Sequence, residues 1–233
     1  MLKPFQWLDT GNTLFPPLDS ALAEPNGLLA IGGDLSPKRV IEAYKQGIFP
    51  WYNEGEPILW WYPKPRAILK FDDLYVNKTL RKQLKRAPYT VSVNKAFVET
   101  IEKCSNAPFR GDETWITNAM QQAYIQLHYE GFAHSVEVWH ESQLVGGLYG
   151  IAINGYFSGE SMFYQKTNAS KFALVGLCSL LATVNVTFID CQIMNPFLAS
   201  MGCKNVSLAE FQQLQSNMLN TKVSPTLWDP RTL

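Results

Sequence analysis

The dipeptide Asn154-Gly155 stands between two long apolar segments, residues 143–153 and 156–163. Asn-Gly is the strongest two-residue hairpin signal, because both residue types tolerate the left-handed backbone that a tight turn between twisted strands requires. Gln143 to Ile153 and Tyr156 to Phe163 are therefore expected to pair antiparallel, and Ser135 to His140 reads as a further strand of the same meander. Any fold for this chain has to be built around that sheet.

On both sides of the meander the apolar spacing turns helical. Helices are predicted over Asn77 to Ala87, ended by Pro88; from Asn94, after a strand at Tyr89 to Val93; and over Thr117 to Glu130, stopped by Gly131. An apolar helix follows from about Ala169 to Val184, then a strand at Val186 to Gln192, then a helix opened by the capping box Ser207 to Glu210. Helices before a meander, with a helix and one more strand after it, predict an α+β domain whose mixed sheet is flanked by helices. Residues 1–65 differ in kind: they are dense in proline, glycine and tryptophan, with one helix where Ser36 caps, Pro37 sits in the first turn and Gly47 stops. A small N-terminal domain over 1–65 and a larger one over 66–233 are expected.

Composition serves mainly to exclude. Twenty Lys and Arg balance twenty Asp and Glu, so no overall positive field draws in nucleic acid, and any such contact must come from a local patch. The four cysteines are scattered without a CxxC pair or a nearby histidine cluster, so neither zinc nor a disulfide framework is signalled. The longest apolar stretch, 172–184, is shorter than the roughly 20 residues of a membrane span. The stretch MLKPFQWLDTGN lacks a basic start followed by an apolar run, so no secretory leader and a cytoplasmic location are expected.

Three segments could carry chemistry. On the helix from Asn77, Lys78, Arg81, Lys82, Lys85 and Arg86 fall within an arc of roughly 140° at about 100° per residue, opposite Leu80 and Leu84. Such a ridge can follow a phosphate backbone, and it can equally be a solvated face; the absence of interleaved acids leans slightly toward the first. Glu160 lies amid apolar residues on a predicted strand, where it either faces outward or, if buried, needs a cation or a proton. Asp190 and Gln192 end an apolar strand, and their spacing of two predicts that they project from one face, with Cys191 pointing the other way and lacking a base. His128, His134 and His140 read as ordinary packed or surface histidines. The glycines at 146, 147 and 150 do not make a coenzyme A loop, since they lead into a hairpin, and 165–170 contains no glycine with which to cradle a pyrophosphate.

Eight ordered segments then converge. Glu24-Pro-Asn-Gly-Leu-Leu-Ala-Ile-Gly-Gly-Asp34, Gly47-Ile-Phe-Pro-Trp51, Trp60-Trp61, Thr114-Trp-Ile116, His134-Ser-Val-Glu-Val-Trp139, Gly159-Glu-Ser-Met-Phe163, Asn168-Ala-Ser-Lys171 and Ile189-Asp-Cys-Gln192 resemble the leucyl/phenylalanyl-tRNA-protein transferases. The resemblance runs over nearly the whole chain. It implies a GNAT-like acyltransferase domain behind the small N-terminal one, no cofactor and no metal. It also implies the partners: aminoacyl-tRNA carrying Leu, Phe or, less well, Met as donor, and proteins beginning with Arg or Lys as acceptors, marked thereby for degradation.

Residue by residue, the resemblance implies that Trp51 and Trp115 hold the terminal adenosine, while Leu148, Phe157, Met162 and Ile189 line the amino-acid pocket. It assigns Glu160 to the α-amino group, Asp190 and Gln192 to the neighbourhood of the reacting ester, and the basic ridge to the acceptor stem. Two positions depart from the family pattern: Leu148 stands where Met is frequent, and Phe197 where His is frequent. The competing expectations are a Fem-like transferase with a cell-wall acceptor and a non-catalytic binder of charged tRNA ends.

Overall fold

The structure, a computed structural model, describes residues 6–108 and 114–233. The opening residues 1–5 of the stretch read for a leader lie outside them. In chain order the elements are β1 (Trp7–Leu8), β2 (Leu28–Gly32), α1 (Pro37–Lys45), β3 (Phe49–Pro50), β4 (Leu59–Trp61) and β5 (Arg66–Lys70). Then come α2 (Lys78–Arg86), β6 (Thr90–Val93), α3 (Phe97–Ser105), α4 (Asn118–Tyr129), β7 (Ala133–His140), β8 (Gln143–Ile153) and β9 (Tyr156–Tyr164). The chain finishes with α5 (Ala169–Ala182), β10 (Phe188–Gln192), α6 (Pro196–Ser200), β11 (Lys204–Val206), α7 (Leu208–Asn220) and β12 (Arg231–Thr232).

The meander is present and dominates the architecture. β6, β7, β8 and β9 pair antiparallel in sequence order within an eight-stranded sheet ordered β11-β5-β10-β9-β8-β7-β6-β12. Asn154 takes φ +53 at the turn, and the Gly155 amide docks on the carbonyls of Met218 and Thr221, so the hairpin tip is held by the end of α7. β10 runs parallel to β9, which makes the sheet mixed, and α5 supplies the crossover. The α+β arrangement expected from the alternation of patterns is what forms.

A second sheet, β1-β2-β4-β3, is made by residues that read as loops and short strands, and β5, the first strand of the large sheet, follows it. Both sheets share one continuous apolar core that runs from Val40, Tyr44 and Trp60 to Ile68, Tyr149 and Phe188. Shared burial of this kind resists separation, because apolar area removed from water is worth roughly 25 cal/mol per Å².

Local chemistry explains the helix ends, with three corrections. Asn77 and Thr117 cap α2 and α4 by accepting from the Leu80 and Met120 amides. The third helix does not open at Asn94: that residue takes φ +53, and its side chain reaches the Ser135 amide, the Trp228 carbonyl and His134, so α3 begins at Phe97. Ser36 makes no side-chain cap; Asp34 accepts from the Ser36 amide instead. Only half of the capping box at α7 forms, because Ser207 accepts from the Glu210 amide while the Glu210 carboxylate pairs with Lys70 at 2.8 Å. The glycine-rich start of β8 serves packing: a Cβ at Gly146 would lie 2.5 Å from the Ala169 Cβ, so glycine lets α5 sit against the sheet. No helix among the described residues is long and apolar enough to cross a membrane.

Candidate active site

Two irregularities in neighbouring strands build the site. On β9, Ser161 pairs with Tyr149 and Gly159 with Gly150, so Glu160 is an extra residue without a partner on β8, a β-bulge. On β10, Asp190 pairs with Ile68 and Gln192 with Ala67, which leaves Cys191 as the extra residue, and Gln192 takes φ +62. β9 and β10 meet at one register pair, Ser158 with Asp190, and among the described residues their ladder goes no further. Each bulge turns one polar side chain into the space between the strands. The Gln192 side-chain amide donates to Glu160 Oε1 at 2.8 Å and to Ser158 Oγ at 3.1 Å.

The bulge at β10 breaks the simple alternation on which Asp190 and Gln192 were expected to share a face: Asp190 meets Tyr156 and Gln192 meets Ser158, but of the two only Gln192 lines the cavity. Asp190 is fully buried and accepts from Arg66 Nε at 2.8 Å, Arg66 Nη2 at 2.7 Å and the Tyr156 hydroxyl. Its Oδ1 also accepts from the Gln192 backbone amide at 3.0 Å, which pins the left-handed residue in place. Arg66 is itself fully buried between the rings of Phe49 and Phe211, 5.2 and 4.6 Å from their centroids. Burial works against the Arg66 charge, but the Asp190 carboxylate outweighs it and holds the guanidinium protonated above its ordinary range. Asp190 thus acts on the backbone of Gln192 and is not among the residues that line the cavity.

That cavity, of about 650 Å³, opens beside the bulges. Leu148, Phe157, Met162 and Ile189 all line it, joined by Leu174 and Leu177 of α5 and by Phe197 of α6, an element that carried no clear sequence signal. Trp51 and Trp115 line it too; Trp51 is 41% exposed and stands at the rim, 5.7 Å from Trp61, whose indole donates to the Trp51 carbonyl. Cys191 also faces the cavity, contrary to the expectation that it points away. Hydrogen bonding with Cys203 and burial push its thiol well up.

Glu160 is the one charged residue among the described lining residues, set in mostly apolar walls. Burial pushes its carboxyl up to about 7, hydrogen bonding from the tyrosine hydroxyls of Tyr44 and Tyr124 pulls it down, and the nearby Asp190 adds to the rise. Tyr124 donates to Glu160 Oε2 at 3.0 Å, and Tyr44 is hydrogen-bonded to Tyr124 in turn. Both tyrosines are fully buried, so burial keeps their hydroxyls protonated as donors. Tyr44, Tyr124, Ser158, Arg66 and Tyr156 escaped the sequence reading because they lie 32 or more residues from the groups they touch, apart from the Ser158–Glu160 contact of 3.3 Å. A half-buried carboxylate ringed by donors in mostly apolar walls can accept a cation such as an ammonium group.

The five cations of α2 stand outside the cavity. Lys78, Arg81, Lys82, Lys85 and Arg86 are all exposed, and none of them forms an ion pair among the described residues. Gln83 of the same helix accepts from Asn168 at 2.8 Å, which ties α2 to the start of α5, and Ser170 of α5 lines the cavity. The histidines form no triad among the described residues: His128 stacks on Phe97 and His134 on Trp228.

Residues 68–216 match the family described as leucyl/phenylalanyl-tRNA protein transferase, and residues 33–64 match the N-terminal domain of that family. The leucyl/phenylalanyl-tRNA–protein transferase of Colwellia psychrerythraea is 52% identical over 231 residues, covering 97% of this chain and 96% of its own. That of Pseudoalteromonas translucida is 48% identical over 233 residues, covering 100% and 98%. Among solved structures, a GCN5-related N-acetyltransferase from Kribbella flavida is distantly similar over 72% of this chain and 60% of its own, at 10% identity and a TM-score of 0.37.

Proposed function

The chain belongs to the leucyl/phenylalanyl-tRNA protein transferase family, and from that premise we propose that it moves Leu or Phe, and less well Met, from charged tRNA to the N-terminal Arg or Lys of acceptor proteins. The observation that carries the proposal is Glu160: one half-buried carboxylate lining a mostly apolar cavity whose walls include Leu148, Phe157, Met162 and Ile189. An aminoacyl group ending in an apolar side chain offers one cation, its α-ammonium, and that pairing matches the chemistry of the site.

In this reading the apolar walls hold the donor side chain and Glu160 holds its ammonium, while Trp51 and Trp115 stack on the terminal adenosine, a contact that tolerates any base. The ester is already activated, so holding amine and ester together supplies much of the rate. The Gln192 amide, freed from Glu160 when the ammonium arrives, is left to orient the attacking amine or to stabilise the oxyanion. Asp190 serves as a positioning residue that keeps Gln192 in its left-handed conformation, and the exposed cations of α2 take the phosphates of the acceptor stem. The division at residue 65, between the two sheets, separates a part that supplies Trp51 from a part that supplies the bulges. The setting is cytoplasmic, where charged tRNA is found.

A single-turnover reaction with radiolabelled Phe-tRNA and a protein beginning with Arg tests the proposal. Label is expected at the acceptor N-terminus. Binding of charged tRNA without transfer would leave a tRNA-end binder, and transfer to a cell-wall precursor in place of the protein would leave a Fem-like enzyme.

A further inference from the structure

The transfer reaction gives no task to the segment that follows α7. It departs at Thr221 beside the hairpin tip, where Met218 and Thr221 accept from Gly155, and it ends at the far edge of the large sheet, where β12 pairs with β6 and the Leu233 amide donates to Val91. Between these anchors it inserts Leu227 and Trp228, each 8% exposed. The insertion is fixed by hydrogen bonds: Asn94 donates to the Trp228 carbonyl at 2.7 Å, and Arg231 donates to the carbonyls of Leu227 and Asp229 at 2.9 Å.

Trp228 lies within an aromatic stack. Its indole is parallel to His134 at 4.1 Å and 3°, and it faces the ring of Phe157 at 5.8 Å and 27°. Burial and the neighbouring His128 hold the His134 ring down to about 3, so the stack stays uncharged at neutral pH. Gly150 gives the Phe157 ring its room, because a Cβ there would come within 2.6 Å of two ring atoms. Phe157 is therefore confined by the backbone of β8 and by Trp228, and it lines the cavity.

We infer that the C-terminal strap from Thr221 to Leu233 is a specificity element, in which Trp228 is a positioning residue that holds Phe157 at the cavity wall and so sets the size of donor side chain admitted. This inference rests on the reading of the cavity as the donor side-chain pocket. With a smaller residue at 228 the Phe157 ring gains space behind it. The chamber then deepens, which favours a bulky donor over Leu.

The test compares kcat/KM for Phe-tRNA and Leu-tRNA in the full-length protein and in Trp228→Leu and Trp228→Phe, each checked for folding by thermal unfolding. Apolar fit discriminates by about 10-fold or more per methylene-sized change, so Trp228→Leu is expected to raise the Phe-to-Leu ratio by about 5-fold or more, and Trp228→Phe, which keeps a ring, by about 2-fold. A purely structural role would lower both values together and leave the ratio alone. If Trp228→Leu does not fold, Trp228→Phe decides by the same ratio. A ratio unchanged in a folded variant overturns the role of Trp228, whereas a wild-type protein that transfers neither residue removes the donor-pocket reading on which the inference stands.

Discussion

The side-chain amide of Gln192 donates to Glu160 at 2.8 Å, across the point where the ladder between β9 and β10 stops. Two polar groups from different strands thereby satisfy one another. On the proposed reading an incoming ammonium would compete with the amide for the same carboxylate oxygen, so filling the cavity would release Gln192.

That carboxyl sets a pH dependence. Burial raises Glu160 from its ordinary 4.5 to about 7, so below pH 7 it is largely protonated and a poor partner for an ammonium. Single-turnover transfer is expected to rise with pH through a limb near 7, and Glu160→Gln should be slow and lack that limb. The linkage sign is opposite for stability: between about 4.5 and 7 the folded protein binds more protons at this group than the unfolded chain does, so Glu160 contributes stability below 4.5 that is lost as pH rises to 7. Urea unfolding across that window should show Glu160→Gln losing less stability than wild type.

Gln192→Ala separates positioning from catalysis. Alanine also carries a Cβ at φ +62, so the backbone cost is similar. Loss of an oxyanion donor costs on the order of 100-fold in kcat with little change in KM for charged tRNA. If KM alone rises, Gln192 holds the donor and does no more.

Arg66→Met leaves Asp190 buried without its cation, which is expected to destabilise the protein by about 3 to 5 kcal/mol. The Asp190→Asn change alone should be costly too, since it strands Arg66. Denaturant midpoints of the two single variants and the double variant read the coupling, and additive effects would mean that the pair is not the organising contact of β10.

Neutralising Lys82 and Arg86 should weaken binding of charged tRNA and lower the slope of log affinity against log salt by about one unit for each lost phosphate contact. A minimal aminoacyl-adenosine donor, too short to meet α2, should react as before. An unchanged salt slope for the full tRNA would remove the ridge from the interface.

Residue spacing made the strands of the meander and the exposed cations of α2 legible, because both depend on periodicity along a single element. Asn154-Gly155 predicts its own turn, and the opposition of Leu80 to Lys82 follows from helical geometry wherever α2 sits. The same rule of alternation misplaced Cys191, which lines the cavity together with Gln192, since it assumes an unbroken strand.

What amino-acid order alone determined was therefore the strands of the meander, the longer helices and the exposed face of α2, with the family seen in motifs spread over the chain. Tertiary structure decided which polar groups meet. Glu160 lines a cavity where its strand carries one residue more than β8 can pair, and Gln192 reaches it beside a second bulge opposite β5. A bulge is a mismatch between two strands, so it belongs to neither sequence segment by itself. Tyr124 and Tyr44 are hydrogen-bonded beside Glu160, and Arg66 beside Asp190, through contacts that span 36 to 124 residues, distances over which only the packed fold brings donors to an acceptor.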